Sequence, residues 1–243
     1  MLIRKPLAVA CLVVAPVAWA QESGNVEGEA ELGILLTSGN TEETKVNGRL
    51  ALKHETTMWR NTGEFSSRYT EADDETTAEE YQAALESDYK FDEQQYWFVR
   101  GSWEDDRFSG YDFESTVSTG YGNRVWQVGE RSFLDLSAGL GYRYNKLEEV
   151  NDDGDDAEKE AIARLAAHFD YALSDTALFR QKLSTEIGLD ENNTISQSET
   201  SLQTSIVGSL SMKAAFRVKH VSDAPAGTDK TDTETSLSLL YGF

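Results

Sequence analysis

The sequence predicts an all-β fold: a closed antiparallel up-and-down transmembrane β-barrel of about 12 strands after a cleaved signal peptide. Three observations predict it. Side chains alternate apolar and polar with a period of two from Glu27 to Phe243, the pattern of strands with one apolar and one polar face. Most alternating segments exceed the ~5–6 residues of soluble strands and reach the ~9–11 that a tilted strand needs to cross hydrocarbon. Beyond the N-terminus, no stretch supplies the ~18 consecutive apolar residues of a spanning helix.

The first twenty residues stand apart. Arg4 and Lys5 precede an apolar run from Leu7 to Val17, and Ala18 and Ala20 place small residues at the two positions read by a signal peptidase. That run is too short for the ~20 residues of a spanning helix. Residues 1–20 therefore read as a signal peptide and 21–243 as a barrel bound for the cell outer membrane. Cys11, the only cysteine, lies in mid-run with no spacer before the cleavage site, which speaks against a lipidated cysteine. The mature chain has no disulfide framework and must hold itself by backbone pairing and packing. Without Arg4 and Lys5 it keeps 20 of the 22 Lys and Arg against 43 acids. Nucleic acid is excluded as a partner, because phosphates need clustered cations. High charge can signal disorder, but ten Tyr, ten Phe and five Trp at regular spacing argue against it.

Twelve segments follow in order. Residues 27–37 carry Glu27, Glu29 and Glu31 on one parity, 44–55 carry Lys45, Arg49 and Lys53, and 59–70 carry Arg60, Glu64 and Arg68. Over 79–91, Tyr81, Ala83, Leu85, Ser87, Tyr89 and Phe91 alternate with Gln82, Glu86, Asp88 and Lys90. Arg100 and Glu104 mark 95–105, and Glu114 and Arg124 mark 112–125. Over 132–146, Leu134, Leu136, Ala138, Leu140, Tyr142 and Tyr144 oppose Asp135, Ser137, Gly139, Gly141 and Arg143. Residues 159–172 hold Glu160, Arg164 and Asp170, and 177–189 hold Arg180, Lys182 and Glu186. A shorter segment, 199–207, precedes 210–221, where Leu210, Met212, Ala214, Phe216 and Val218 face away from Lys213, Arg217 and Lys219. The last, 232–243, sets Thr233, Thr235, Leu237, Leu239, Tyr241 and Phe243 against Asp232, Glu234, Ser236 and Ser238. Aromatics such as Trp59, Trp97, Trp103, Tyr142 and Tyr241 fall near segment ends, where barrels carry their interfacial girdles.

The connections alternate in length. Those near 56–58, 92–94, 127–130, 173–176 and 208–209 are short; 71–78, 106–111, 147–158, 190–198 and 222–231 are longer, with 38–43 compact. Outer-membrane barrels have short periplasmic turns and long external loops. The long loops are acidic, as in Glu71, Asp73, Asp74 and Glu75, or Glu148, Glu149, Asp152, Asp153, Asp155, Asp156 and Glu158. They read either as plain solvation or as groups that bridge to lipopolysaccharide through loop-bound divalent cations. The run 151–156 lacks the alternate carboxylates of a calcium loop, so no dedicated metal site and no cofactor is expected.

The polar parity gives the lumen. Its candidate lining residues are Arg49, Arg68, Arg100, Arg124, Arg143, Arg164, Arg180, Lys182, Glu86, Asp135 and Glu186. Basic and acidic side chains are nearly balanced on this face, so the excess acid lies in the loops. Two readings stay open: a salt-bridged core that braces the barrel, or a narrow hydrated pore whose fields select small polar solutes. Twelve strands fall between the eight that side chains fill and the sixteen that leave a channel.

Several motifs carry a resemblance. Glu29-Ala30-Glu31-Leu32-Gly33 followed by Thr37-Ser38-Gly39-Asn40-Thr41, then Ser87-Asp88-Tyr89-Lys90-Phe91, Asp106-Arg107-Phe108-Ser109-Gly110-Tyr111-Asp112, Gly139-Leu140-Gly141-Tyr142-Arg143-Tyr144 and Pro225-Ala226-Gly227-Thr228-Asp229-Lys230 span nearly the whole mature chain. The chain resembles the salt-induced outer-membrane protein family (YdiY-like, domain of unknown function 481). The resemblance implies an outer-membrane barrel among lipid and lipopolysaccharide, and brings no catalytic residues with it. The closing Leu237, Leu239, Tyr241 and Phe243 resemble the C-terminal signal read by the barrel-assembly machinery.

Three functions compete at this point. The first is a passive pore linked to salt or osmotic stress. The second is a structural or interaction barrel acting through its acidic loops. The third is a lipid hydrolase, suggested by His220-Val221-Ser222, although Asp223 and Ala224 stand where the Asn and Gly of outer-membrane phospholipases would follow. His168 lies on the lumen parity as a polar filler.

Overall fold

The computed structural model describes residues 24–37, 43–73, 75–150, 154–190, 193–224 and 228–243. The proposed signal peptide with Ala18 and Ala20 lies outside them, as do parts of the 38–43, 147–158 and 222–231 connections. The described chain forms twelve strands: β1 Asn25–Thr37, β2 Glu43–Glu55, β3 Trp59–Ala72, β4 Glu75–Lys90, β5 Gln95–Asp106, β6 Tyr111–Val128, β7 Ser132–Leu147, β8 Ala157–Ala172, β9 Ala177–Gly188, β10 Thr194–Val207, β11 Leu210–Val221 and β12 Thr231–Gly242. Each pairs antiparallel with its chain neighbours, and β12 returns to β1 to close the barrel.

Closure satisfies the backbone without leaving an edge, which is what an apolar solvent demands. The outer surface is built for that solvent: Leu85, Leu140 and Leu237 are 71%, 63% and 61% exposed. Aromatics band both ends. At the short-turn end Trp59 packs on Tyr89 at 5.1 Å, and Phe169 joins Trp126, Tyr171 and Phe179 at 5.9, 6.1 and 6.3 Å between ring centroids. At the loop end Phe113 lies 5.8 Å from Tyr144.

Several boundaries shift from the sequence expectation, β6 among them, which runs on to Val128 rather than 125; the two largest shifts, at the starts of β4 and β10, have a common cause. The 71–78 connection is not a long loop: β3 and β4 continue to Ala72 and Glu75, and Asp73 turns the chain at φ 50°, a left-handed conformation that Asp tolerates better than most residues. The extension carries polar residues on both faces, so it leaves no alternation to read. β10 begins at Thr194 rather than 199 for a related reason. Its outward residues Ser196, Ser198 and Thr200 are polar, and they bond along the surface: Thr200 donates to Gln181 at 2.6 Å and Gln181 to Ser198 at 3.1 Å.

The closing seam is short. The β1–β2 ladder runs the whole strand, from Asn25↔Glu55 to Thr37↔Glu43, whereas the β1–β12 ladder runs from Glu29↔Gly242 to Leu32↔Leu239. Phe243 extends it by one rung, exchanging backbone bonds with Gly28 at 2.8 and 2.9 Å. Its ring covers Gly28, where a Cβ would come within 2.3 Å of the ring.

Candidate functional site: the charged lumen

Inward-facing side chains enclose a cavity of about 930 Å³ that runs from Glu130 and Arg131 at the short-turn end to Asp106 and Asp232 at the loop end. Arg49, Arg68, Arg100, Arg124, Arg143, Arg164, Arg180, Lys182, Glu86, Asp135 and Glu186 all line it. Parity places them: each stands on a strand whose alternate residues meet the apolar outside.

The arginines obey a simple rule. Most take as partner the acid directly opposite in the ladder. Arg124↔Asp135 and Arg180↔Asp170 are register pairs, and each closes a two-pronged contact at 2.7–2.8 Å and 2.8 Å. Arg60↔Asp88 meets at 2.7 Å, Arg217↔Glu234 at 3.5 Å, Arg100↔Glu86 at 3.6 Å and Arg164↔Glu186 at 3.7 Å. Arg68↔Glu80 and Arg143↔Glu160 are ion-paired in the same way. Planar guanidinium forks suit carboxylates at this spacing, so every such pair fixes register as well as charge. Arg49 also pairs with the acid opposite it, Glu31 at 3.7 Å, but its closest contact is one step along the other neighbouring strand, where it forks onto Glu64 at 2.7 and 2.8 Å beyond its β3 ladder neighbour Ser66.

Three of the lysines, Lys182, Lys213 and Lys219, behave differently. Lys182 stands opposite Glu199 in the ladder, yet its Nζ lies 3.7 Å from Glu64 on β3, six strands away around the barrel. Lys219 stands opposite Asp232, yet its Nζ lies 2.5 Å from Glu104 and 2.9 Å from Glu114, on the far wall. Lys213 reaches Glu31 and Glu199 at 3.2 and 3.1 Å, across the β1–β12 seam and its own hairpin. The lumen is therefore crossed at two heights by flexible ammonium groups. Among the described residues, a buried guanidinium nitrogen on each of Arg68, Arg143 and Arg164, the hydroxyl of Ser118 and one carboxylate oxygen each of Asp88 and Glu160 have no hydrogen-bond partner. Buried polar atoms of this kind are the ones that ordered water satisfies.

One wall is filled by rings rather than charges. Tyr96 and Phe98 of β5 point inward, with Phe98 1% exposed. Glycines on β6 and β7 make the room. A Cβ on Gly122 would lie 2.1 Å from the Tyr96 ring, and one on Gly139 would lie 2.8 Å from Phe98. Arg60 stacks on the open face of Tyr96 at 4.7 Å. The inward placing of Tyr96 and Phe98 goes beyond the charged lumen residues expected from the sequence. The available signal was an aromatic-x-aromatic on the lumen parity of β5 facing Gly120, Gly122, Gly139 and Gly141.

The remaining candidates sit apart from this network. Leu237, Leu239, Tyr241 and Phe243 face outward and are exposed. His168 lies on the lumen wall with its Nε2 2.9 Å from Asp170. His220 Nδ1 lies 2.8 Å from Thr231 Oγ1, while the Ser222 hydroxyl accepts from Thr194 N–H at 2.8 Å, so each is engaged with a different neighbour. In the acidic loop, Asp156 is held below the ordinary carboxylate range by the Lys146 ammonium at 2.5 Å.

Residues 30–243 match the family profile described as "Protein of unknown function, DUF481". The chain belongs to this family. A DUF481-type relative in Escherichia coli (strain K12), uncharacterized protein YdiY, is 28% identical over 220 residues, covering 89% of this chain and 83% of its own. In shape the DUF481 barrel is similar to the translocator domain of the autotransporter NalP from Neisseria meningitidis (TM-score 0.52, 11% identity, 90% and 87% covered). It is also similar to an outer membrane channel from Pseudomonas putida F1 (TM-score 0.50, 12% identity, 95% and 100% covered). These likenesses establish a bacterial outer-membrane type of barrel and nothing finer.

Proposed function

We propose that the protein resides in the outer membrane as a narrow passive pore for ions and small polar solutes, in a setting of salt or osmotic stress. The observation that carries this reading is the lumen cavity of about 930 Å³, whose lining carries charged residues from the short-turn end to the loop end. Strands of ~12 residues rising ~3.3 Å each and tilted ~40° give a lumen on the order of 30 Å long, hence on the order of 30 Å² of mean cross-section. That bore suits hydrated ions and small solutes. The long loops face outward in this arrangement, where their acids would meet lipopolysaccharide and its bridging divalent cations, and the closing strand would be offered to the barrel-assembly machinery.

Planar-bilayer recording of the refolded barrel tests the pore: stepwise single-channel currents support it, and membranes that stay sealed at all voltages with the wild type and with lumen-charge variants alike remove it. A second reading, a braced structural or interaction barrel, draws on Lys182 and Lys219 crossing the lumen. It predicts no current, together with loss of envelope integrity when the loop acids become Asn and Gln.

A further inference from the structure

We propose that Lys219 is a tethered internal cation that occupies the cation path at the loop end of the lumen and so sets both conductance and ion preference; this rests on the pore reading above. Lys219 has an acid directly opposite it, Asp232 on β12. Nine arginines of the lumen take such a partner; Lys219 does not. Its ammonium spans to β5 and β6, donating to Glu104 at 2.5 Å and Glu114 at 2.9 Å. In the circular strand order β11 and β5 are six apart in either direction, so the Lys219 and Glu104 side chains together bridge opposite walls of the barrel.

The chemistry fits a displaceable plug. An arginine fork would lock onto one carboxylate, whereas a lysine is a point charge on a four-carbon stem. Glu104 is further held by Gln82, whose Nε2 donates at 3.1 Å and also reaches Glu80. Asp106 lies one turn of the same parity beyond Glu104, at the rim. Carboxylates on one rim of a pore select cations. A cation arriving through the acidic loops meets this pair of carboxylates with one of its two charges already offset from within, and must compete with the ammonium to pass. Removing the ammonium leaves Glu104 and Glu114 to the permeant ion.

Lys219→Met and Glu104→Gln, each shown to refold by heat-modifiable gel mobility, are compared with the wild type in bilayers under a KCl gradient. Lys219→Met is expected to raise conductance several-fold and move the reversal potential toward that of K⁺. Glu104→Gln is expected to move it the other way; if Lys219→Met does not refold, this variant alone decides. A wild type that conducts while the refolded variants keep its conductance and reversal potential overturns the role of Lys219 and leaves the pore standing. Silence in the wild type and in every variant overturns the pore, and the proposal with it. Silence in the wild type with current in Lys219→Met supports the plug in its strongest form.

Discussion

Arg124 and Asp135 stand opposite one another in the β6–β7 ladder and close a two-pronged ion pair, Nε to Oδ1 at 2.7 Å and Nη2 to Oδ2 at 2.8 Å. The pair is a local device: two adjacent strands and one turn place both partners. Repeated round the wall, it makes an acidic chain compatible with a narrow interior.

Breaking such a pair where it is most buried should be costly. Arg143 and Glu160 are 2% and 3% exposed. Arg143→Met leaves the Glu160 carboxylate buried without its cation, which should lower stability by about 3–5 kcal/mol. Arg143→Met with Glu160→Gln should recover part of that loss. Urea titration in lipid vesicles gives both values, and equal stability of the single and double variants would contradict the assignment.

Gly122 is required by the ring beside it. Gly122→Val should push Tyr96 off the wall and away from Arg60, with a loss on the order of 1–3 kcal/mol from overpacking. Gly101, whose added Cβ would meet nothing within 4 Å, is the control: Gly101→Ala should leave the urea midpoint nearly unchanged.

The outer face should reject charge at mid-height. Leu140 lies at the middle of β7 and is 63% exposed. Leu140→Arg should destabilise the barrel in lipid by about 2–4 kcal/mol. The same substitution at Val150, outside the strands, should cost little, and the difference is measured by the same titration.

The turn at Asp92 should give a small acid-dependent term. Its Oδ1 accepts from the N–H of Gln94 and Gln95 at 2.8 and 2.7 Å, and these bonds hold the carboxyl below its ordinary value. A group depressed in the folded state stabilises above its unfolded pKa of about 3.9 and loses that contribution as pH falls through the folded value. Asp92→Ala should therefore be less stable than the wild type near neutrality, with the gap shrinking below about pH 4. A gap independent of pH would show that the bonds are not what Asp92 contributes.

The seam should open first. The β1–β12 ladder ends at Leu32↔Leu239, while β11–β12 runs from Leu210↔Tyr241 to His220↔Thr231. Local opening follows the thinnest pairing. Amide exchange should be faster along the loop-end half of β12 than along the paired residues of β7, as read by NMR in micelles.

How much of this was legible is clear from particular residues. Leu140 outside and Arg143 inside follow from parity, because the period of two acts between adjacent residues and needs no partner. The β4 start at Glu75 was hidden, since polar residues on both faces erase the alternation while backbone bonds continue. The inward Tyr96 and Phe98 were hidden because their place depends on glycines in two other strands.

The sequence by itself determined that these strands exist, which side of each meets an apolar solvent, and that the lumen would be charged: these are properties of neighbouring residues. Only the tertiary structure decided which charge meets which. Lys219 and Glu104 are separated by more than a hundred positions along the chain, and no local pattern links them. They meet because closure of twelve strands brings opposite walls within the combined reach of a lysine and a glutamate.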